Sequence, residues 1–331
     1  MTAPILVSVI VVTWNGRRFL ERCLTSLTRS VTELPGACEI VVVDNGSTDD
    51  SAAYVAATFP DVVLLRNETN LGFAAATTKA LDSAAGAFIA LLNDDTDVEA
   101  SWLAELYAAI RTDPALGSCA PQVRFLYHPD RINSAGLSID RSGAAFDRLG
   151  GEPIEASEKT PIQVFGPSGS AVLFRRRMLD AVGLYDPRFF AYLEDADHAW
   201  RAQRAGWRCL YVPTAVVYHI HSGTSGQGSA RKAYWLARNQ VWVLARNASM
   251  AQLLCYMPWI VSRTLGVATF YLVTRHTLAP MRGTAAGLRG VRQVSQVRRR
   301  YPFLALRTFA PLRSPLCDLR LRIRRDRLAK R

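Results

Sequence analysis

Four clusters in this chain carry residue types able to do chemistry. Asn93-Asp94-Asp95 follows the apolar run Phe88-Ile-Ala-Leu-Leu92. Carboxylates just outside a buried strand suit a hard divalent cation, which takes oxygen ligands and keeps waters for a substrate diphosphate. A helix N-cap or a turn draws on the same residue types. Asp44 closes Ile40-Val-Val-Val43, where a carboxylate can accept hydrogen bonds from a base or a ribose. The competing reading of Asp44, a capped turn into a helix starting near Asp50, is served better by Ser47 and Asp49. Glu194, Asp195 and Asp197 fall in the first turn of a helical stretch, behind Phe189-Phe-Ala-Tyr192. Compensation of the helix dipole accounts for part of that, yet a carboxylate against a partly apolar wall also gains the basicity to deprotonate an alcohol. Tyr218-His219-Ile220-His221 ends a strand-like run, so both imidazoles would share one face. One of them could complete a metal site, although lone histidines also serve structure.

Such residues act together only if strands deliver them to one edge. Val7 to Thr13 reads as a buried strand and Arg17 to Arg29 as an amphipathic helix. Glu39 to Val43, Val62 to Leu65 and Ala87 to Leu92 are further strand-like runs, interleaved with helices at Asp50 to Thr58 and about Phe73 to Ala84. A helix at Trp102 to Ile110 follows. This alternation predicts an α/β fold, a mostly parallel Rossmann-like sheet flanked by helices. Ligands in such sheets bind beyond the carboxyl ends of the strands. The strands here lead into Thr13-Trp-Asn-Gly16, Asp44-Asn-Gly-Ser-Thr-Asp49, Arg66-Asn-Glu-Thr-Asn-Leu-Gly72 and Asn93-Asp-Asp95, a set unusually rich in carboxylates and amides. Residues 127 to 165, rich in Gly, Pro, Ser and charge, show no sustained period and read as a long active-site loop or lid. Beyond it the pattern predicts a strand at Ser170 to Phe174 and helices at Arg175 to Val182 and Glu194 to Ala205, the latter ended by Gly206. Two short strands follow, Cys209 to Val212 and Ala215 to His221, separated by Pro213.

The character changes from about Lys232. Tyr234 to Leu244 is apolar and aromatic, and Leu253 to Val273 is long enough to span a bilayer. Pro258 and Arg263 make an isolated span costly, so an interfacial helical hairpin is expected. Residues 282 to 331 carry 15 basic against 2 acidic side chains, a combination that beside an apolar segment fits an anionic membrane surface. Across all 331 residues, 49% are hydrophobic, enough for a real core, and the net charge is +12. That excess calls for an anionic partner: a phosphate-bearing substrate, acidic lipid or nucleic acid. Nucleic acid ranks last, because the tail has few aromatics for base stacking and no recognised module accompanies it. The six cysteines are scattered without a CxxC pair, as in reduced intracellular proteins. The chain enters a strand-like run at Ile5 without a basic n-region or cleavage site. The expectation is a cytoplasmic protein, peripheral to the inner face of the cell membrane.

Several motifs occur in a telling order: Val9-Ile-Val-Val-Thr-Trp-Asn-Gly16, Val41-Val-Val-Asp-Asn-Gly-Ser-Thr-Asp49, Asn70-Leu-Gly-Phe-Ala74 and Leu91-Leu-Asn-Asp-Asp-Thr96. Phe189-Phe-Ala-Tyr-Leu-Glu-Asp-Ala-Asp197 and Tyr211-Val-Pro213 with Val217-Tyr-His219 come downstream. The set resembles glycosyltransferase family 2, with its GT-A fold, over roughly residues 5 to 245. Its look is that of the rhamnosyltransferase-type branch, which builds bacterial cell-wall and surface polysaccharides. The resemblance implies a catalytic domain at 1–245, with a nucleotide-sugar half (1–125) and an acceptor half (126–245). Residues 246–331 then form a helical, membrane-associating extension with the basic tail.

Position by position, the resemblance puts Thr13, Asn15 and Asp44 around the nucleoside, Asn70 and Gly72 in the wall of that pocket, and Asp94 near the ribose. Asn93 and Asp95 fall at the ends of the family's Asp-x-Asp motif for Mg²⁺ or Mn²⁺, with Asp95 the firm ligand. His219 matches the histidine that adds a ligand to the metal or diphosphate. Asp195 matches the general base, and Glu194 its acidic neighbour, which positions the acceptor or the helix. The implied activity is inverting transfer of a sugar from a nucleoside diphosphate, with dTDP-rhamnose the expected donor, to a lipid-linked or polysaccharide hydroxyl. Asn93 departs from the stricter motif, since an amide offers an oxygen without the charge, and Ala74-Ala-Ala-Thr-Thr78 stands where many relatives are Gly- and Asn-rich. The alternative is a non-catalytic, degenerate GT-A protein that grips glycan or membrane. Asn93 favours it, and the joint presence of Asp195 and His219 speaks against it.

Overall fold

Runs of β-branched residues become strands because their stiff side chains pack well on a pleated surface. In the computed structural model, which describes residues 4–140, 142–220, 229–295, 309–310 and 328, four such runs form a parallel ladder. They are β1 (Val7–Thr13), β2 (Cys38–Asn45), β3 (Val63–Asn67) and β4 (Phe88–Asn93), in the order β3-β2-β1-β4. The crossovers are α1 (Arg17–Val31), α2 (Ser51–Thr58) and α3 (Phe73–Leu81). Alternate side chains serve opposite faces. Val7, Val9 and Val11 of β1 pack with Leu20, Leu24 and Leu27 of α1, whereas Ile10 packs with Ala74, Ala76 and Ala80 of α3. Burial on both faces is why these strands read as unbroken apolar runs.

Past β4 the sheet becomes mixed. β5 (Thr96–Val98), α4 (Trp102–Ile110), β6 (Leu116–Phe125), β7 (His128–Ser134), β8 (Leu137–Asp140), β9 (Ala145–Asp147), β10 (Ile162–Val164) and β11 (Ala171–Arg175) follow in turn. Then come α5 (Arg176–Val182), α6 (Glu194–Arg204) and β12 (Arg208–His219). β11 runs antiparallel between β4 and β6, and β12 lies parallel to β6. The stretch 127–165 is therefore not the structureless loop or lid that its composition predicts. Its short strands are all paired: β7 forms a tight hairpin with β6, β10 joins the distant β12, and the β8–β9 hairpin meets β13 (Phe309–Ala310). Likewise Pro213 does not divide two strands. It lies where the pairing of β12 with β6 shifts register between Val212 and Val216, a bulge that absorbs the missing N–H. His221, the second imidazole of the expected pair, lies outside the described residues.

Three helices follow: α7 (Ala230–Asn247), α8 (Met250–Arg275) and α9 (Ala279–Val294). α7 is part of the main core, with Trp242, Val243 and Leu244 packed beside Trp200 of α6, and Trp242 Nε1 donates to the Gly287 carbonyl of α9 at 3.0 Å. α8 is one unbroken helix, not the hairpin that Pro258 and Arg263 suggest. Proline crowds only the preceding turn, and the helix runs on past Pro258, through Gly266, to Arg275. Tyr271 is its only buried side chain, while Leu254, Trp259, Leu265 and Val273 stand exposed. By length and composition α8 could cross a membrane. Its Arg263, however, is turned back onto the domain, where Nη2 meets the fully buried Asp140 at 2.9 Å.

Candidate active site

The carboxyl ends of β1 to β4 bring the expected nucleotide residues to one edge. Thr13 Oγ1 donates to Asp94 Oδ2 at 2.7 Å. Gly16 closes over this pair so tightly that a Cβ there would lie 2.1 Å from Asp94 Oδ2 and 2.4 Å from Thr13 Oγ1. Asn15, in the left-handed region at φ 53°, donates its N–H to Ser47 Oγ at 2.9 Å and accepts from the Thr48 N–H at 2.8 Å. The loops after β1 and β2 are thereby laced together. Asp44 is buried; one oxygen accepts from the Ser47 N–H at 3.2 Å, and the other lies 3.8 Å from the exposed Arg66 guanidinium. It thus caps its own turn. Asn70 Oδ1 accepts from Asn45 Nδ2 at 3.1 Å and from the Gly72 N–H at 2.8 Å, so the third loop joins the second. Burial and the adjacent Asp95 push the Asp94 carboxyl up to about 8, against the pull of the Thr13 hydroxyl.

Two of the three expected metal ligands are in direct contact. β5 pairs with the end of β12, Thr96 opposite His219, and this brings His219 Nε2 to 3.0 Å from Asp95 Oδ1, both side chains buried. His219 Nδ1 sits 3.3 Å from Asn133 Oδ1 of β7, a contact that orients the ring. Asn93 makes no side-chain hydrogen bond to either: its carbonyl accepts from Thr96 Oγ1, and its carboxamide has no hydrogen-bond partner among the described residues. Nor does any group of three His, Cys, Asp or Glu side chains there assemble a complete site. One carboxylate oxygen and one imidazole within reach of a single ion fit a divalent cation whose other ligands are water and diphosphate oxygens.

The second acidic cluster is built by an unusual approach to α6. Phe190, Tyr192 and Leu193 all have positive φ, at 65°, 73° and 64°. Non-glycine residues hold that conformation only when their surroundings over-determine it. Asn239 of α7 does so, its Nδ2 facing the carbonyls of Phe189, Ala191 and Tyr192 at 3.1, 2.9 and 2.7 Å. The Phe190 carbonyl accepts from the Ala74 N–H at 3.1 Å, and its ring covers Gly72, where φ is 83° and a Cβ would lie 2.6 Å away. The same loop therefore packs on Gly72, one of the expected nucleotide residues, and leads into Glu194 and Asp195 at the start of α6.

Asp195 keeps part of its surface open to solvent and is held by two N–H donors, Gly169 at 3.0 Å and Ala196 at 2.7 Å. Next to Gly169, the Ser170 carbonyl accepts from the Asn93 N–H at 2.9 Å, so one backbone step joins this acid to the end of β4. Burial pushes the Asp195 carboxyl up to about 6 despite the Gly169 N–H, and Asp147 of β9 adds to the rise. Burial and Asp195 push Glu194 up to about 8, and its Oε2 has no hydrogen-bond partner among the described residues. Asp197, the third acid, is structural: Arg201 Nε meets Oδ2 at 2.8 Å and Arg246 Nε meets Oδ1 at 2.7 Å, tying α6 to α7. Sequence reasoning missed Gly16, Gly169 and Asn239, the residues that place the others. Gly16 alone left a signal, as the last residue of a motif.

A family model described as "Glycosyl transferase family 2" matches residues 8–183. An N-acetylglucosaminyl-diphospho-decaprenol L-rhamnosyltransferase of Mycobacterium tuberculosis is 29% identical, over 67% of this chain and 78% of its own. Among solved structures, GalNAc-T7 with UDP, GalNAc and Mn²⁺ superposes with a TM-score of 0.62 at 18% identity, covering 91% of this chain and 58% of that one. The mannosyltransferase PcManGT of Pyrobaculum calidifontis, in complex with GDP-Man and Mn²⁺, gives 0.53 at 20% identity, over 90% and 86%. At such identities the two structures establish the fold, GT-A. With that fold, and with a family match spanning more than half its length, this chain belongs to glycosyltransferase family 2 and is a glycosyltransferase.

Proposed function

We propose that the enzyme is an inverting transferase that moves a sugar, with rhamnose from dTDP-rhamnose the leading donor, onto a lipid-linked acceptor in cell-wall or surface glycan synthesis. The observation that carries this reading is the path from Asp195 through Gly169 and Ser170 to Asn93, which sets a partly open, basic carboxylate beside the donor edge. Asp195 takes the proton of the acceptor hydroxyl as its oxygen attacks the anomeric carbon from the face opposite the leaving group. The bond to the nucleoside diphosphate breaks in the same displacement, and configuration inverts. Thr13, Asn15, Asp44, Asn70, Gly72 and Asp94 hold the nucleotide sugar. Asp95 and His219 would hold Mg²⁺ or Mn²⁺, with Asn93 offering a further oxygen; the ion would offset charge on the departing diphosphate. GalNAc-T7 and PcManGT, each solved with Mn²⁺, support the metal, and the mycobacterial relative supports the sugar and the lipid. Residues 1–245 serve as the catalytic domain and 246–331 as the extension that meets the inner face of the membrane. The exposed apolar side of α8 and the net charge of +12 support that placement.

The test is transfer of radiolabelled sugar from dTDP-rhamnose to a diphospholipid-linked saccharide, comparing the natural chain with Asp195→Asn. Loss of turnover with retained nucleotide binding is expected, and the product's anomeric configuration, read by NMR, reports inversion. Near-normal transfer by Asp195→Asn would remove Asp195 from the mechanism.

A further inference from the structure

One face of α7 changes character along its length. Arg231, Trp235, Asn239 and Trp242 recur at helical spacing and so share that face. Its later residues are buried and structural, Asn239 on the carbonyls of the 189–192 loop and Trp242 against Phe189 at 5.8 Å. Its first turns are different. The Trp235 ring lies 4.6 Å from Phe190 and 6.3 Å from Tyr192, tilted by 32° and 37°, and all three remain partly exposed. Lys232 Nζ stands 5.1 Å over the Tyr192 ring, and the Arg231 guanidinium 5.9 Å from Trp235. Cations in a first helical turn oppose the helix dipole, so these two do not serve the helix itself.

Three neighbours surround this patch. Tyr192 stands two residues before Glu194, whose Oε2 is buried and without a hydrogen-bond partner among the described residues. Phe190 lies on Gly72 of the nucleotide pocket. On the remaining side, Ala233 and Tyr234 form a small core with Val267, Phe270 and Tyr271 of α8, the helix whose Leu265, Leu272 and Val273 are exposed. Base, rings, cations and an apolar stripe therefore follow one another.

We propose that Arg231, Lys232, Trp235 and Tyr192 form the acceptor subsite, built for a sugar joined through a diphosphate to an isoprenoid-type lipid. The proposal rests on the reading of the enzyme as a transferase to lipid-linked acceptors. The rings take the apolar face of the sugar, the two cations take the diphosphate, and the chain of the lipid runs along α8. In this order the acceptor hydroxyl ends at Asp195.

Binding rather than turnover tests this, so failure of the subsite and failure of the transferase reading stay distinguishable. The full chain is titrated with farnesyl diphosphate, with N-acetylglucosaminyl diphosphofarnesol and with dTDP, following tryptophan fluorescence and calorimetry. Arg231→Gln/Lys232→Gln, at surface positions that leave the fold intact, should raise the Kd of both farnesyl ligands at least tenfold and that of dTDP less than twofold. Trp235→Ala should remove the extra affinity of the sugar-bearing ligand, with Trp235→Phe restoring most of it. Farnesyl affinity that is absent in the natural chain, or unchanged in the glutamine variant, overturns the proposal. So does loss of dTDP affinity alone, which would assign the two cations to the donor diphosphate. Farnesyl binding that persists while transfer is absent would instead overturn the transferase reading.

Discussion

The Asn239 carboxamide donates to the Tyr192 carbonyl at 2.7 Å, across 47 residues of sequence, and the same nitrogen faces the carbonyls of Phe189 and Ala191. This one side chain holds the left-handed residues that aim Asp195. Asn239→Ala leaves buried carbonyls without their donor, at about 1–3 kcal/mol for each unsatisfied group. The loop then relaxes away from positive φ, and kcat should fall roughly tenfold or more while the dissociation constant of the nucleotide moves little. Asn239→Asp should not rescue it, because an ionised carboxylate accepts and cannot donate. Steady-state kinetics beside calorimetric nucleotide binding checks this. A variant that lost thermal stability but kept kcat would make Asn239 merely structural.

The pH profile follows from Asp195. A base must be ionised to act, and burial together with Asp147 holds this carboxyl up to about 6. Turnover should therefore rise with pH through about 6 and then level off. The stability sign is opposite. The folded state holds this proton more tightly than the unfolded chain does, so the site costs stability as pH climbs from about 4 to 6. Asp195→Asn should abolish transfer and at pH 7.5 raise Tm by about 2–4 °C. Kinetics from pH 5 to 8 and a thermal scan at both ends check the two halves separately.

The parallel half of the fold was legible because β1 to β4 are buried on both faces. Burial forces apolar runs, and the polar residues after them mark where each strand ends. Thr13, Asn15, Asp44, Asn70, Gly72 and Asp94 share an edge for that reason. The β7–β10 region was not legible, since strands of three to seven residues there are stabilised by partners on β6, β12 and β13 rather than by a local pattern. Asn239 was invisible for a related reason: an asparagine inside an apolar helix carries no signal of the loop it braces. At Asn93 the backbone N–H and carbonyl bind Ser170 and Thr96, a bracing role that the residue's place in a motif does not announce.

Among the three acids at the start of α6, only Asp197 should be needed for stability. Burial alone would raise its carboxyl, and Arg201 and Arg246 outweigh that and take it to about 2. Its stabilising contribution is therefore complete above about 4, the unfolded value, and is lost as pH falls toward 2. Asp197→Ala strands two buried guanidinium groups and should cost about 3–5 kcal/mol, read by denaturant unfolding at pH 7. Glu194→Gln should cost far less, because its Oε2 surrenders no hydrogen bond.

Gly16 offers a steric test of the donor pocket. A methyl group there would occupy the space of the Thr13–Asp94 hydrogen bond. Gly16→Ala must push these side chains apart, an overpacking of about 1–3 kcal/mol. Much of that cost falls on the nucleotide site, so donor KM should rise roughly tenfold while the acceptor KM holds. Restoring space with Gly16→Ala/Thr13→Ser would not help, since serine keeps the oxygen that clashes. Equal donor KM values in the natural chain and Gly16→Ala would show that the nucleotide does not depend on this pair.

Arg263 offers a test of the proposed membrane placement of α8. Its guanidinium reaches the fully buried Asp140, whose Oδ1 also accepts from the N–H groups of Ser142 and Ala144 at 2.9 and 3.1 Å. On the proposed placement, a helix tethered in this way would turn one side to the domain and the other to lipid, a peripheral attachment rather than a span. Alkaline carbonate should then strip the natural chain from anionic vesicles, and added salt should weaken its binding. Arg263→Leu leaves Asp140 with a buried charge and should cost about 3–5 kcal/mol. Arg263→Leu/Asp140→Asn should recover most of that, because neither charge then remains. If α8 instead crossed the bilayer, Arg263→Leu would remove a costly charge from lipid. The variant would then resist carbonate more strongly than the natural chain, the reverse of what the Asp140 contact predicts.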